Sequence, residues 1–399
     1  MIDSDVIVVG GGPVGLLNAL GLAQAGLTVI VLEREAAVPA SPRAAVYFFF
    51  ALDGLERFGV LEDVERAGIV DDGGLHVHDF RTRDVFSWPM DVLRGHTAHP
   101  YNINLGQDRL AEVILAHLNE MPSAEVRWST TVTELRQDAD GVTIAADAPD
   151  GPTQLRAPWV IGADGAGSTV RRSLGLEFEG MTWPERFVAT NVRYPFDDFG
   201  FGVANIVPDP HHGAIVAKLD DTGLWRCTYC EDAELPEATI PERMPAFFEA
   251  FLPDGGQPEV VAWSPYRMHQ RAAQRMREGR VLLAGDAAHA TNPTGGLGLT
   301  SGLCDTFVLV EALAAVISGE ADDAVLDAYA QQRRAKFLEV ASPRATMLKQ
   351  LVYHPHDRAA LEEQLAGMRA LAGDREALRA NYLDMRTLET PSLLENRGR

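Results

Sequence analysis

Gly10-Gly-Gly12-Pro-Val-Gly15 constrains this chain more than any other stretch of its length. It follows Asp5-Val-Ile-Val-Val9, a β-branched run of the kind found in parallel strands buried on both faces. After it, Val14–Ala25 carries apolar residues at helical spacing, Gly26 stands where a C-cap belongs, and Thr28–Leu32 reads as a second strand. The pattern predicts a βαβ unit, and the glycines then have a mechanism. Gly10 permits the tight turn, Gly12 lets backbone approach a pyrophosphate, and Gly15 lets helix and strand pack closely, with Pro13 inside the same loop. The helix N-terminus adds free N–H groups and a partial positive charge. Glu33, followed by Arg34, ends the second strand, where a carboxylate can accept both ribose hydroxyls of an adenosine. The unit is a dinucleotide site, and taken alone it could hold NAD or FAD.

Two later segments narrow the choice. Trp159-Val-Ile-Gly-Ala-Asp164-Gly165 is a strand running into a glycine turn and a helix start. Gly279-Arg-Val-Leu-Leu-Ala-Gly285-Asp286-Ala-Ala-His289 is a strand with a carboxylate at its C-terminal end, the edge of an open α/β sheet where ligands bind. With these three ordered motifs the chain resembles the group A flavoprotein monooxygenases, the p-hydroxybenzoate hydroxylase-like FAD-dependent aromatic hydroxylases, over roughly residues 5–345.

That resemblance implies particular contacts. Glu33 would hold the adenosine ribose and Asp286 the ribityl chain of FAD. Asp164 would lie in a turn supporting flavin and pyridine nucleotide. Arg43 would sit near the flavin and its phosphates, Gln107 would open a helix beside the ribityl chain, and the Val132 backbone would meet the adenine. Pro293-Thr-Gly295-Gly296-Leu297-Gly298 matches the family's Pro-x-x-Gly loop, although Thr300-Ser301 replaces the Asn of many members. The loop opens a helix over Leu299–Ile317, whose N-terminal N–H groups can stabilise the negative charge of reduced flavin. NADH or NADPH would reduce FAD, O₂ would give a flavin C4a-hydroperoxide, and an aromatic, phenolic substrate would be hydroxylated. Using the same fold as an epoxidase or Baeyer–Villiger-type oxygenase, or as a ligand-binding flavoprotein without turnover, is the alternative.

The rest of the chain frames this site. Residues 73–97 and 179–267 alternate apolar and polar residues with many aromatics, which predicts a mostly antiparallel β-sheet domain for substrate, inserted into the FAD-binding parts 1–72, 98–178 and 268–345. Glu125–Gln154 reads as a β-meander, and 346–399 as a C-terminal helical extension. The fold class expected is α/β: a Rossmann-like FAD-binding domain (the GR2, p-hydroxybenzoate hydroxylase type), an inserted sheet domain and C-terminal helices. Candidates for activating the substrate are Tyr47, His78, Tyr229 and Pro293, with Tyr101, Arg193, Tyr194 and Tyr266 on the same sheet or adjoining loops, while Phe48–Phe50 suggest an apolar region nearby. His76 and His78 share a strand face that reads as solvated, and His289 as a locally bonded residue. Cys227 and Cys230 alternate out of register for a shared metal, and no metal site is expected.

A formal charge of -22 argues against a basic nucleic-acid or anionic-membrane surface. Three cysteines fit a reducing compartment. No secretory n-region or ~18-residue apolar run is evident, so a cytoplasmic monomer or homodimer is expected.

Overall fold

The computed structural model describes residues 2–39, 46–355 and 357–394. Val6–Val9 and Val29–Leu32 are wholly buried strands, in register Val6↔Val29, and helix Pro13–Gln24 crosses between them. They are the centre of a six-stranded sheet ordered Arg277–Glu278, Val281–Leu283, Trp159–Gly162, Val6–Val9, Val29–Leu32, Ala124–Arg127. Its central pairings are parallel, which is why these strands read as continuous apolar runs. Helix Pro13–Gln24 packs between helices Gln107–Asn119 and Leu297–Ser318.

Thr131–Gln137, Val142–Ala148 and Gly151–Ala157 form a three-stranded antiparallel sheet with its apolar side in the same core. The expected meander therefore starts later than Glu125. Ala124–Arg127 pairs in parallel with Val29–Leu32 instead, and so belongs to the large sheet.

An eight-stranded sheet, antiparallel except where Ala204–Val207 meets Leu75–His78, runs from His289–Ala290 through Glu259–Ala273, Phe178–Arg193, Leu224–Asp232, Ala214–Lys218, Ala204–Val207 and Leu75–His78 to Val85–Trp88. Alternation sorts its side chains onto two faces. Trp225, Cys227 and Tyr229 pack under helix Ile240–Phe251. Phe187 and Met268 occupy the other face with helix Ser342–Tyr353. A small fourth sheet, Val46–Tyr47 with Asn102–Asn104 and Ile69–Asp71, puts Tyr47 and Ile103 in the core of the first sheet and is tied to the eight-stranded one by Asn104, whose amide donates to Val203 O and Lys218 O.

Leu297–Ser318 is longer than the helix expected over Leu299–Ile317, and by length and composition it could cross a membrane. Here it is a core helix, with most of its apolar window buried against protein. Within the C-terminal extension the chain breaks at Asp374. Asp374 accepts the N–H groups of Glu376 and Ala377 and so caps a new helix, Arg375–Asp384, after Arg358–Gly373.

Candidate flavin and substrate site

At the first βα turn, Gly10 has φ +111°, and a Cβ there would lie 2.3 Å from the Ala163 carbonyl oxygen. A Cβ on Gly15 would fall 1.9 Å from the Gly10 carbonyl oxygen. Gly12 differs: a Cβ there would meet nothing within 4 Å. The chain is thus pinned at Gly10 and Gly15 and leaves an open seat at Gly12, where no side chain caps the helix. Pro13 takes the first helical position, where no N–H is missed. An uncapped helix N-terminus with open space before it has the geometry to receive an anion. The Glu33 carboxylate accepts the Gly11 and Glu35 N–H groups and shapes the loop, whereas Arg34 points to solvent beside Glu35. Thr130 N–H donates to Glu33 O, which brings the buried Val132 near the same strand end.

Asp164 turns inward. Its carboxylate accepts the Ser168 hydroxyl and the Thr169 and Val170 N–H groups, so its charge builds the short helix Thr169–Ser173 rather than reaching out. Arg171, which the sequence reading passed over, donates to Ala166 O at 2.6 Å and Ala287 O at 2.7 Å, tying the Asp164 turn to the Asp286 turn. Asp286 is the exposed residue of an otherwise buried stretch from Val281 to Ala290. Gln107 opens its helix half-buried behind Gly106. Arg43 lies outside the described residues.

Pro293–Gly295 is a single 3₁₀ turn capped by Asn292, and Gly296 (φ +64°) starts helix Leu297–Ser318 with no side-chain cap and no acid in its first turn. Pro293, Gly296 and Gly298 stay half-exposed while Gly295 and Leu297 are buried. Phe48 lies against Gly296, and the Thr294 hydroxyl is buried with no hydrogen-bond partner among the described residues. Two uncapped helix N-termini, an open seat at Gly12 and an outward carboxylate at Asp286 form a donor set that fits FAD.

The structure places the substrate candidates in different surroundings. Tyr47 is fully buried, its hydroxyl has no hydrogen-bond partner among the described residues, and burial, then Asp108, push its ionisation well up against the pull of Arg226. Arg226 sits on the same sheet face as Phe187, with Nε donating to Asn191 Oδ1 at 2.7 Å. Burial lowers its pKa to about 10, with Tyr266, Asp108 and Tyr47 opposing. Tyr266 pairs edge-on with Phe187 on this face.

Other candidates are elsewhere. Tyr229 stacks on Phe247 at 3.9 Å, under helix Ile240–Phe251, because it is an odd number of residues from Arg226. His78 is buried rather than solvated: it bonds Asn205 Oδ1 at 3.1 Å and stacks on Phe201 in that same layer. Tyr194 donates to Asp254, Tyr101 to Glu65, and Arg193 to Thr222 at a hairpin end. Sequence reasoning missed Arg226. Its signal was a lone cation inside Leu224–Asp232, between Trp225 and Cys227.

Comparison with known proteins agrees with this architecture. A family model described as FAD binding domain matches residues 3–342. The 6-hydroxy-3-succinoylpyridine 3-monooxygenase HspB of Pseudomonas putida is 43% identical over 387 residues, 96% of this chain and 98% of that protein. Para-nitrophenol 4-monooxygenase of a Pseudomonas species is 43% identical over 400 residues, 98% of each chain. The crystal structure of p-nitrophenol 4-monooxygenase PnpA from Pseudomonas putida superposes with a TM-score of 0.94 at 43% identity, covering 98% of this chain and 99% of that one. Motifs, site and relatives lead to one assignment: the chain belongs to the group A flavoprotein monooxygenases, FAD-dependent aromatic hydroxylases that use NAD(P)H and O₂.

Proposed function

We propose that this enzyme hydroxylates a phenol or hydroxypyridine held as its anion between the Pro293–Gly298 loop and the sheet face bearing Arg226. The observation that carries this reading is Tyr47, a buried phenol whose hydroxyl has no hydrogen-bond partner among the described residues, close to the buried cation Arg226. A cation favours the ionised substrate, and an ionised ring oxygen makes the ring carbons electron-rich. The Tyr47 hydroxyl can donate to that oxygen, and Phe48–Phe50 keep water away. The names of two relatives, a nitrophenol and a hydroxypyridine monooxygenase, support the same substrate class.

In this reading Gly10, Gly12, Pro13 and Gly15 seat the pyrophosphate, Glu33 and Val132 the adenosine, Gln107 and Asp286 the ribityl chain, and Gly295–Gly298 the flavin edge. Asp164 acts by shaping its turn, and Arg43 by its place in the segment before Tyr47. Bound FAD supplies the redox and oxygen-transfer chemistry. The division into a flavin part (1–72, 98–178, 268–345), a substrate sheet (73–97, 179–267) and a helical extension, and a cytoplasmic location, belong to the same proposal.

The test is NAD(P)H oxidation, with product analysis, against p-nitrophenol, hydroxypyridines, an alkene panel and a ketone panel. Stimulation and a hydroxylated product are expected with one of the first two classes. No stimulation by any of them, with turnover of an alkene or ketone, would sink the reading.

A further inference from the structure

Asp305 is wholly buried in the third turn of helix Leu297–Ser318, and three segments converge on it. Its Oδ2 accepts from Gly285 N–H at 3.0 Å and from His289 Nε2 at 2.7 Å, while Oδ1 accepts from Arg333 Nε at 2.8 Å. Arg333 is equally buried. Its other donors reach Leu388 O at 2.7 Å, Thr390 Oγ1 at 3.1 Å and Ser301 O at 3.3 Å. The His289 ring stacks on Phe337, with centroids 4.5 Å apart.

Burial alone would raise the Asp305 carboxyl, yet His289 and Arg333 hold it below its usual range, so the hub stays charged. As mere glue, an ionic hub is a poor choice, because apolar side chains of similar volume would hold helices at least as well. What it adds is direction. A fixed carboxylate oxygen sets the Gly285 N–H, and the next residue is Asp286.

We propose that Arg333 is a positioning residue for the flavin site and that the C-terminal segment 385–394 is part of that site's support. Arg333 aims Asp305, Asp305 fixes the Gly285 turn, and the turn presents Asp286. The segment is held from its own side by Arg333 and by Ser392, whose hydroxyl donates to Glu311 at 2.5 Å. The inference rests on the reading that Asp286 and the Pro293–Gly298 loop hold FAD.

The test uses the full chain, Arg333→Met, Arg333→Lys, a chain ending at Asp384, the truncated chain carrying Arg333→Met, and Asp286→Ala as a direct-contact control. FAD dissociation constants are measured, with visible circular dichroism and midpoint potential of the flavin at saturating FAD, and far-UV circular dichroism for folding. Arg333→Met and the truncation should each weaken FAD binding about tenfold or more, and alter the flavin dichroism and potential at saturation. Arg333→Lys should recover part of the loss. Combining Arg333→Met with the truncation should add little, since both break one connection. Unaltered affinity, dichroism and potential in Arg333→Met, or effects that multiply independently, overturn the proposal. If Arg333→Met does not fold, the truncated chain and Thr390→Ala decide, and unchanged flavin readouts in both overturn it. An Asp286→Ala protein with unchanged affinity would instead refute the FAD-site reading.

Discussion

Arg226 keeps its charge where burial works against it, and its neighbours explain why: Tyr266, Asp108 and Tyr47 all favour the cation. If that charge holds a phenolate, its removal has a directional effect on pH dependence. Arg226→Met should bind FAD normally but shift the acid limb of the hydroxylation profile upward by about one pH unit or more, because the bound phenol loses the cation that lowers its pKa. The substrate KM should rise with it. A pH profile superimposable on that of the unaltered enzyme would refute the role.

His78 makes a different prediction. Burial first, then His76 and Arg83, lower its pKa from 6.5 to about 4, against the Asn205 hydrogen bond. The folded state holds it neutral while the unfolded chain protonates it near 6.5, so this contribution to stability is lost as pH falls from about 6.5 toward 4. The loss is on the order of 3 kcal/mol. Urea unfolding across that window should show a flatter slope in His78→Gln; equal slopes would remove His78 from the account of acid sensitivity. These two residues also mark what a sequence can carry. Alternation in Leu224–Asp232 puts Tyr229 and Trp225 on one face and Arg226 on the other, but does not say which face is closed off. That depends on helix Ile240–Phe251 covering one side, a contact between elements distant in sequence. His78 read as solvated for the same reason.

At the scale of elements, the βα turn separates glycines that the fold itself requires from one, Gly12, that the proposed FAD site requires. Gly15→Ala would drive a methyl into the Gly10 carbonyl and should destabilise the apoprotein by about 2–3 kcal/mol. Gly12→Ala faces open space, so the apoprotein should keep its Tm while FAD affinity falls at least tenfold. Thermal melts of the two apoproteins with FAD titrations check this, and equal Tm losses in both would refute the division of roles. The glycine motifs were legible because each is local: strand, turn and helix lie within one short window. Arg171 was not, because its two carbonyl acceptors sit in turns far apart in the chain. The Ala124–Arg127 strand was assigned to the wrong sheet because strand pairing, unlike strand propensity, is a non-local choice.

Across the whole molecule, the helices after residue 357 close the far edge of the eight-stranded sheet. Val85–Trp88 is the last strand in the order, an edge that would otherwise offer free backbone groups to another chain. Helix Arg358–Gly373 covers it: Trp88 Nε1 donates to Met368 O at 2.9 Å, and Tyr382 from the next helix donates to Trp88 O. Arg358, Arg369 and Arg375 pair with Asp79, Asp84 and Asp91, but such partly exposed pairs contribute roughly 0–1 kcal/mol each. The hold is therefore apolar. Leu361 and Leu365 pack with Val77, Ile206 and Leu351, while Leu378 and Tyr382 pack with Met90 and Leu93. Leu361→Ala should cost about 2–5 kcal/mol, whereas Arg369→Ala should change stability by less than about 1 kcal/mol. Leu361→Asp should go further and uncover the edge, giving concentration-dependent association by analytical ultracentrifugation at low temperature, where the remainder of the fold persists. If Leu361→Asp stays at the size of the unaltered protein while its helical extension is released to protease, the helices are not what keeps the edge from pairing, and the charged residues on Val85–Trp88's flanks, Asp84 and Asp91, become the explanation to test.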